Sequence, residues 1–251
     1  DLVQSTNWDL GSILKSECLI KADFFIHKLC NTVKMFSPQR LLTTSARERC
    51  IACLRGLPEF VFEDVSPKKK ASVLVPMCVI NNEVHLLYTM RSSNLSSHAG
   101  QVSFPGGKMD KDEDEIETAL RETEEEIGVS PEAVEVWSAM SSVQGRDKNM
   151  LITPVVGLIK NFENQTLIRN VNEVEEIFTV PMSALCDRKN HAHLEFEKTI
   201  LPVFLYEKHK IWGITGFITN FFLQCFIPTE SYQCDFLRKK FEIHELLPSK
   251  L

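Results

Sequence analysis

The sequence predicts an α/β fold, a mixed β-sheet sandwiched between helices, and three observations lead there. Two apolar runs, "ASVLVPMCVI" (71–80) and "EVHLLYTM" (83–90), flank Asn81-Asn82 and read as a hairpin of largely buried strands. Further runs at 134–143, 151–160, 175–181, 193–198 and 201–206 have strand length and strand composition, and a short strand over 101–107 runs into a Pro-Gly-Gly turn. Helical spacing of apolar residues falls near 114–127 and 214–226, so strands bracket two helices.

At 251 residues the chain can bury one sizeable core, and a single domain with extensions is the economical division. We divide it into an extension over 1–66, a folded domain over 67–230 and a tail over 231–251. With 43% hydrophobic and 25% charged residues it is neither disordered nor fibrous. From Met35, "MFSPQRLLTTSARER" carries Arg40, Arg47 and Arg49 and no acid before Glu48. That composition fits a mitochondrial transit segment and equally an amphipathic helix. "SPKKK" at 66–70 gives a solvated lead into the domain. The terminal Ser-Lys-Leu matches a peroxisomal address read by an import receptor.

The most apolar run, 212–228, is interrupted by Thr215, Thr219, Asn220 and Gln224 and is shorter than the ~20 residues of a membrane span. It reads as a core helix, and no membrane span is expected. Eight cysteines without a signal-peptide core read as reduced thiols, including Cys50 and Cys53, whose CxxC has no second pair at zinc spacing.

Charge is where the sequence departs from the ordinary. Ten acids and two bases lie between 110 and 126, although the whole chain carries only −6. The remainder has no general basic footprint, so a nucleic-acid partner is not expected, while room is left for a small basic pocket that takes a phosphorylated metabolite. Over 114–127, Ile116, Ala119, Leu120, Thr123 and Ile127 share one helix face, which leaves the acids on the other. Glu122 and Glu126 are four apart and Glu125 is three from Glu122, so all three carboxylates can reach one small volume. A hard divalent cation turns their repulsion into binding, and oxygen-only ligands select Mg²⁺ or Mn²⁺, ions that share their coordination with substrate phosphates. "DKDED" at 110–114 imitates an EF-hand loop, but Glu115 occupies the glycine position.

Gly107, Glu113 and "RETEEEIGV" (121–129) reproduce the spacing G-x5-E-x7-R-E-U-x-E-E-x-G-U, where U is bulky and apolar. In this the chain resembles the Nudix hydrolases, with one departure, Thr123 at the first U. Seven fixed positions coincide by chance on the order of 10⁻⁸ per start site, which outweighs the reading of a merely solvated helix face. The resemblance implies an α/β/α sandwich with a loop–helix–loop signature and hydrolysis of diphosphates linked to a second moiety. It also implies metal ligation by Glu122 and Glu126, with Glu125 a further ligand or the group that activates water. The Gly107 carbonyl is expected near the metal, and Glu113 and Arg121 as an orienting ion pair.

Residues 86–107, "LLYTMRSSNLSSHAGQVSFPGG", resemble the coenzyme A diphosphatases of that superfamily; 172–185 and 201–219 are similar to the corresponding parts of the animal members, 201–219 more to the mitochondrial type than to the peroxisomal one. Leu87, Thr89, Arg91, Ser92, Leu95, His98, Gly100, Val102, Phe104, Pro105, Gly106 and Gly107 all match, and Tyr88 departs. The resemblance implies hydrolysis of coenzyme A and acyl-CoA to 3′,5′-ADP and (acyl-)4′-phosphopantetheine. Arg91 offers a bidentate fork to phosphate; Ser92, His98, Gly106 and Gly107 complete the expected substrate contacts, His98 either touching phosphate or fixing its loop. Gln101 and Ser103 are secondary contacts, Phe104 a core residue, and Glu173, Glu175 and Glu176 a second acidic cluster that either reaches the metal across the site or, the favoured reading, is surface charge. The alternatives are a Nudix pyrophosphatase for ADP-ribose, NADH or capped RNA, and a catalytically silent CoA-binding module.

Overall fold

The computed structural model describes residues 35–61, 67, 69–95, 98–145, 148–196 and 199–247. The readings of residues 1–34 and of the terminal Ser-Lys-Leu lie outside these residues.

Strand β1 (Lys69–Ile80) is the spine of an eight-stranded sheet. It turns into β2 (Glu83–Arg91) through Asn81 and Asn82, whose φ angles of 48° and 61° are the left-handed pair of a two-residue hairpin turn. Asparagine tolerates that conformation better than most residues, so the dipeptide fixes the register. β1 runs parallel to β7 (Met150–Ile159) and antiparallel to β4 (Gly106–Lys108). On the far side of β2 lie β3 (Val102–Ser103) and β8 (Val174–Pro181), both antiparallel. β5 (Val134–Ala139) and β6 (Val143–Gln144) pair with β7, which makes the sheet mixed, as the sequence predicts.

Alternation along β1 and β2 separates two cores. Leu74 and Leu87 point to one face, where α3 (Glu115–Ile127) covers them with Ala119 and Ile127. Val75, Met77, Leu86, Tyr88 and Met90 point to the other, under α5 (Gly213–Phe226) and its Ile218, Phe222 and Phe226. Helices on both faces give the α/β/α sandwich. The arginine-rich stretch after Met35 folds as α1 (Pro38–Leu41) and α2 (Thr44–Arg55) and buries Phe36, Leu41, Cys50 and Leu54 in the same core as α5. Here it is an amphipathic helix with its arginines outward.

Three expectations need correction. Lys69 and Lys70 open β1, although they read as solvated loop. The thiols are not all reduced: Cys53 on α2 and Cys225 on α5 form a disulfide with Cα atoms 5.3 Å apart. A second sheet is present, in which β9 (His191–Phe196) and β10 (Thr199–Tyr206) are extended by β11 (His209–Ile211) and β12 (Lys240–Phe241). At three and two residues, these added strands are too short to show a period of two. A short helix, α4 (Met182–Leu185), leads from β8 toward β9. No helix among the described residues is long and apolar enough to cross a membrane.

Candidate active site

The acidic helix α3 is set by its own ends. Asp114 caps it, its Oδ1 accepting the Ile116 and Glu117 amides at 2.8 Å, while Glu117 Oε2 accepts the Asp114 amide at 2.9 Å. This reciprocal box satisfies donors that the first turn otherwise leaves orphaned. Gly128, at φ 75°, closes the other end and donates to the Glu124 carbonyl. Ala119, Thr123 and Ile127 face inward; Thr123 satisfies its hydroxyl on the Ala119 carbonyl at 2.6 Å, so the departure from an apolar residue leaves nothing unpaired. Ile116, expected on that face, is 36% exposed, and Glu126 instead sits inside, 2% exposed.

Three carboxylates meet beside the helix. Glu122, Glu126 and Glu173 each present an oxygen, and the three oxygens lie within 4.8 Å of one another. Glu173 arrives from a different part of the chain. The loop before β8 is strapped to the end of α3 by Ile168 N–H to the Ile127 carbonyl and Asn170 N–H to the Glu126 carbonyl, each 2.9 Å. The Glu173 carbonyl then accepts Ser92 N–H at 2.8 Å, where the β2–β8 ladder shifts register between Met90 and Arg91. Such an irregularity re-aims side chains at the end of a ladder.

Burial pushes the Glu126 carboxyl up to about 8, against the opposing pull of the Arg91 charge and a hydrogen bond from Gly106 N–H. Its Oε2 is buried without a hydrogen-bond partner. Glu122 is also raised by burial, with Arg121 working the other way. An unpartnered buried carboxylate oxygen among like charges is costly unless a cation joins it. Three carboxylate donors without sulfur or imidazole fit a hard divalent ion.

Arg121 organises the rest. Its Nε and Nη2 grip Glu113 at 2.6 and 2.9 Å, its Nη1 reaches Glu122 at 3.0 Å and Glu125 at 3.3 Å, and Nη2 also meets the Lys108 carbonyl. Hydrogen bonding from Arg121 holds the Glu113 carboxyl down at about 2. The expected Glu113–Arg121 pair is therefore formed, whereas Glu125 lies on the exposed side of the helix and outside the carboxylate trio. Two glycines make room. A Cβ on Gly107 would stand 2.4 Å from the Glu122 carboxyl, and Gly106, at φ 153°, passes so close to Ser72 and Val73 that no side chain fits.

The segment 86–107 supplies unequal parts. Arg91 follows Leu87 by an even number of residues and so faces α3; its charge is felt at Glu126, and its Nε is buried without a partner. Ser92 is buried and turns the chain, its Oγ accepting Asn94 N–H at 3.3 Å. His98 is exposed at φ 55° and pairs its Nδ1 with Gln101 Oε1 at 3.1 Å, which fixes its loop. Ser103 bonds Thr89 across the ladder. Phe104 is in the core, stacked on Tyr88 at 4.8 Å. The hydroxyl of Tyr88 is matched by Thr219 of α5 at 3.1 Å, which accounts for the departure from leucine there. Of the second acidic cluster, Glu176 bonds Lys208 at 2.8 Å, and Glu173 is the member that joins Glu122 and Glu126, the less favoured of the two readings of the cluster. The one local signal for it was an acidic run opening a strand.

Residues 69–202 match the NUDIX domain family. The chain is 41% identical over 165 residues to the mitochondrial coenzyme A diphosphatase NUDT8 of Homo sapiens, covering 63% of this chain and 70% of that protein. It is 33% identical over 227 residues to Nudix hydrolase 3 of Caenorhabditis elegans, covering 81% and 93%. Against the peroxisomal coenzyme A diphosphatase NUDT7 of Mus musculus it is 41% identical over 133 residues, covering 52% and 53%. The family match spans more than half of the chain and contains Gly107, Glu113, Arg121, Glu122, Glu125, Glu126 and Gly128 together, so the chain belongs to the NUDIX domain family.

Proposed function

We propose that this protein hydrolyses the diphosphate bond of coenzyme A and of acyl-CoA esters, releasing 3′,5′-ADP and (acyl-)4′-phosphopantetheine. The observation that carries the reading is the convergence of Glu122, Glu126 and Glu173 on one point with the Arg91 charge beside it. The substrate choice is supported by the likeness of 86–107 to the coenzyme A diphosphatases and by the two relatives named for that activity.

In this reading Glu122, Glu126 and Glu173 hold Mg²⁺ or Mn²⁺. When bound, the ion supplies a Lewis acid that acidifies water and neutralises charge on the diphosphate. Arg91, whose Nε lacks a partner, turns its guanidinium to a phosphate oxygen. Glu125 Oε1 is held by Arg121 Nη1, which leaves Oε2 to accept a proton from the attacking water. Arg121 couples these parts, since one guanidinium orients Glu113, Glu122 and Glu125 at once. Gly107 keeps the space in front of Glu122 clear, and Gly106 N–H steadies Glu126. Ser92 and His98 act by shaping the loop that follows Arg91.

Two of the relatives are named for mitochondria and for peroxisomes, and we propose those organelles as the protein's location; imaging tagged protein with and without its last three residues tells them apart. The activity is tested by incubating purified protein with coenzyme A and Mn²⁺ and separating products by chromatography. Formation of 3′,5′-ADP and 4′-phosphopantetheine is expected. Intact coenzyme A alongside rapid cleavage of ADP-ribose, NADH or capped RNA overturns the substrate assignment.

A further inference from the structure

On the sheet face opposite α3, a cavity of about 560 Å³ opens between α2, α5 and the chain that follows α5. Both cysteines of the Cys53–Cys225 disulfide belong to its wall, together with Arg40, Arg49, Gln224, Thr229 and Glu230. The two cysteines are unequal: Cys225 is 3% exposed, whereas Cys53 is open to solvent. A nucleophile entering the cavity therefore meets Cys53 before Cys225.

The charges around it favour one class of nucleophile. Arg49 spends one N–H on the neutral Phe226 carbonyl at 3.3 Å and keeps its full charge. Its field reaches the neighbouring thiol of Cys50. Arg40 stands 3.8 Å from Glu230 in a pair whose members are 50% and 72% exposed, a contact too solvated to quench it. Two guanidiniums against one carboxylate leave the wall positive, and a positive cleft raises the encounter rate of anions.

We propose that this cavity is a docking site for small anionic thiols, which exchange there with the Cys53–Cys225 disulfide and so unlock α2 from α5. In the first step the incoming thiolate bonds to Cys53 Sγ, the Cys53–Cys225 bond breaks, and its electron pair leaves on Cys225 Sγ, which takes a proton. A second thiolate attacks the outer sulfur of the mixed disulfide, frees Cys53 as thiolate and departs as the oxidised thiol. Two electrons pass from two small thiols to the protein, and the same steps reversed, driven by the small-molecule disulfide, close the bond again. Glutathione, with carboxylates, and coenzyme A, with phosphates, both belong to this class.

The test measures reduction of the disulfide by quenching with iodoacetamide and counting added carbamidomethyl groups by mass spectrometry. Glutathione, coenzyme A, neutral 2-mercaptoethanol and cationic cysteamine are compared at matched thiolate concentration, in low salt and in 0.5 M salt. We expect the anionic thiols to react about tenfold faster than mercaptoethanol, and cysteamine to be slowest. High salt and Arg40→Ala should both collapse the difference. Arg49→Ala is a second variant, with circular dichroism to check its fold, because Arg49 also holds the Phe226 carbonyl. A clear lead of coenzyme A over glutathione, or the reverse, identifies the natural partner within the class. Equal rates for all four thiols, an unchanged ratio in Arg40→Ala, or alkylation of Cys53 and Cys225 without any reductant overturns the proposal. None of these readouts involves diphosphate hydrolysis, so the inference and the proposed activity stand or fall separately.

Discussion

Replacing Glu126 by glutamine should stabilise the metal-free protein at alkaline pH, and the size of the effect follows from burial. The carboxyl is 2% exposed and titrates at about 8, against an ordinary 4.5. Because the folded protein holds this proton more tightly than the unfolded chain does, the stability it contributes is complete below pH 4.5 and is lost as pH rises through 8. Between pH 5 and 8.5 the loss amounts to about 4 kcal/mol, since a tenfold change in proton affinity is worth about 1.4 kcal/mol. For a chain of this length that is roughly 10 °C in Tm. Glutamine keeps an oxygen for Gly106 N–H and carries no charge, so Glu126→Gln lacks this slope. Thermal unfolding in EDTA, followed by circular dichroism at pH 5 and 8.5, compares the two proteins, and groups common to both cancel. The variant should melt near wild type at pH 5 and well above it at pH 8.5, and saturating Mn²⁺ should reverse that order. Parallel pH profiles, or a variant destabilised equally at both pH values, would refute the reasoning.

Three more predictions rest on separate contacts. Gly107→Ala places a Cβ 2.4 Å from the Glu122 carboxyl, and a displacement near 1 Å should lower kcat/KM by about 10² while the circular dichroism spectrum stays unchanged. Arg121→Lys cannot keep the two-pronged grip on Glu113 together with Glu122 and Glu125, so kcat should fall on the order of 10² with KM moving less. Cys53→Ser opens a crosslink spanning 172 residues, for which loop-closure entropy gives up to about 5 kcal/mol. Wild type treated with dithiothreitol should then melt with the variant; equal melting of oxidised and reduced wild type contradicts this.

What the sequence disclosed was set by local interactions. The ends of α3 follow from Asp114, Glu117 and Gly128, and the β1–β2 turn from two asparagines; each is decided within a few residues. Burial of Phe104 and of the Thr123 methyl follows the same rule of period. For Glu173 the sequence leaves surface charge and a reach across the site both open, because its neighbours Glu175 and Glu176 are acids with no part in the trio; the β2–β8 pairing and the strap from 168–170 to α3 carry it to Glu122. Glu125 shows the converse. Helical spacing brings it within reach of Glu122, while in the structure its carboxylate pairs with Arg121 and is not among the three whose oxygens converge. The Cys53–Cys225 bond was illegible for a similar reason, since nothing in CxxC names a partner 172 residues away.

Calorimetric titration of Mn²⁺ into wild type, Glu173→Gln and Glu125→Gln addresses the carboxylate trio most directly. The account predicts a single binding event in wild type, weakened at least about tenfold by Glu173→Gln and by clearly less in Glu125→Gln. Wild-type affinity in Glu173→Gln together with lost binding in Glu125→Gln would contradict it.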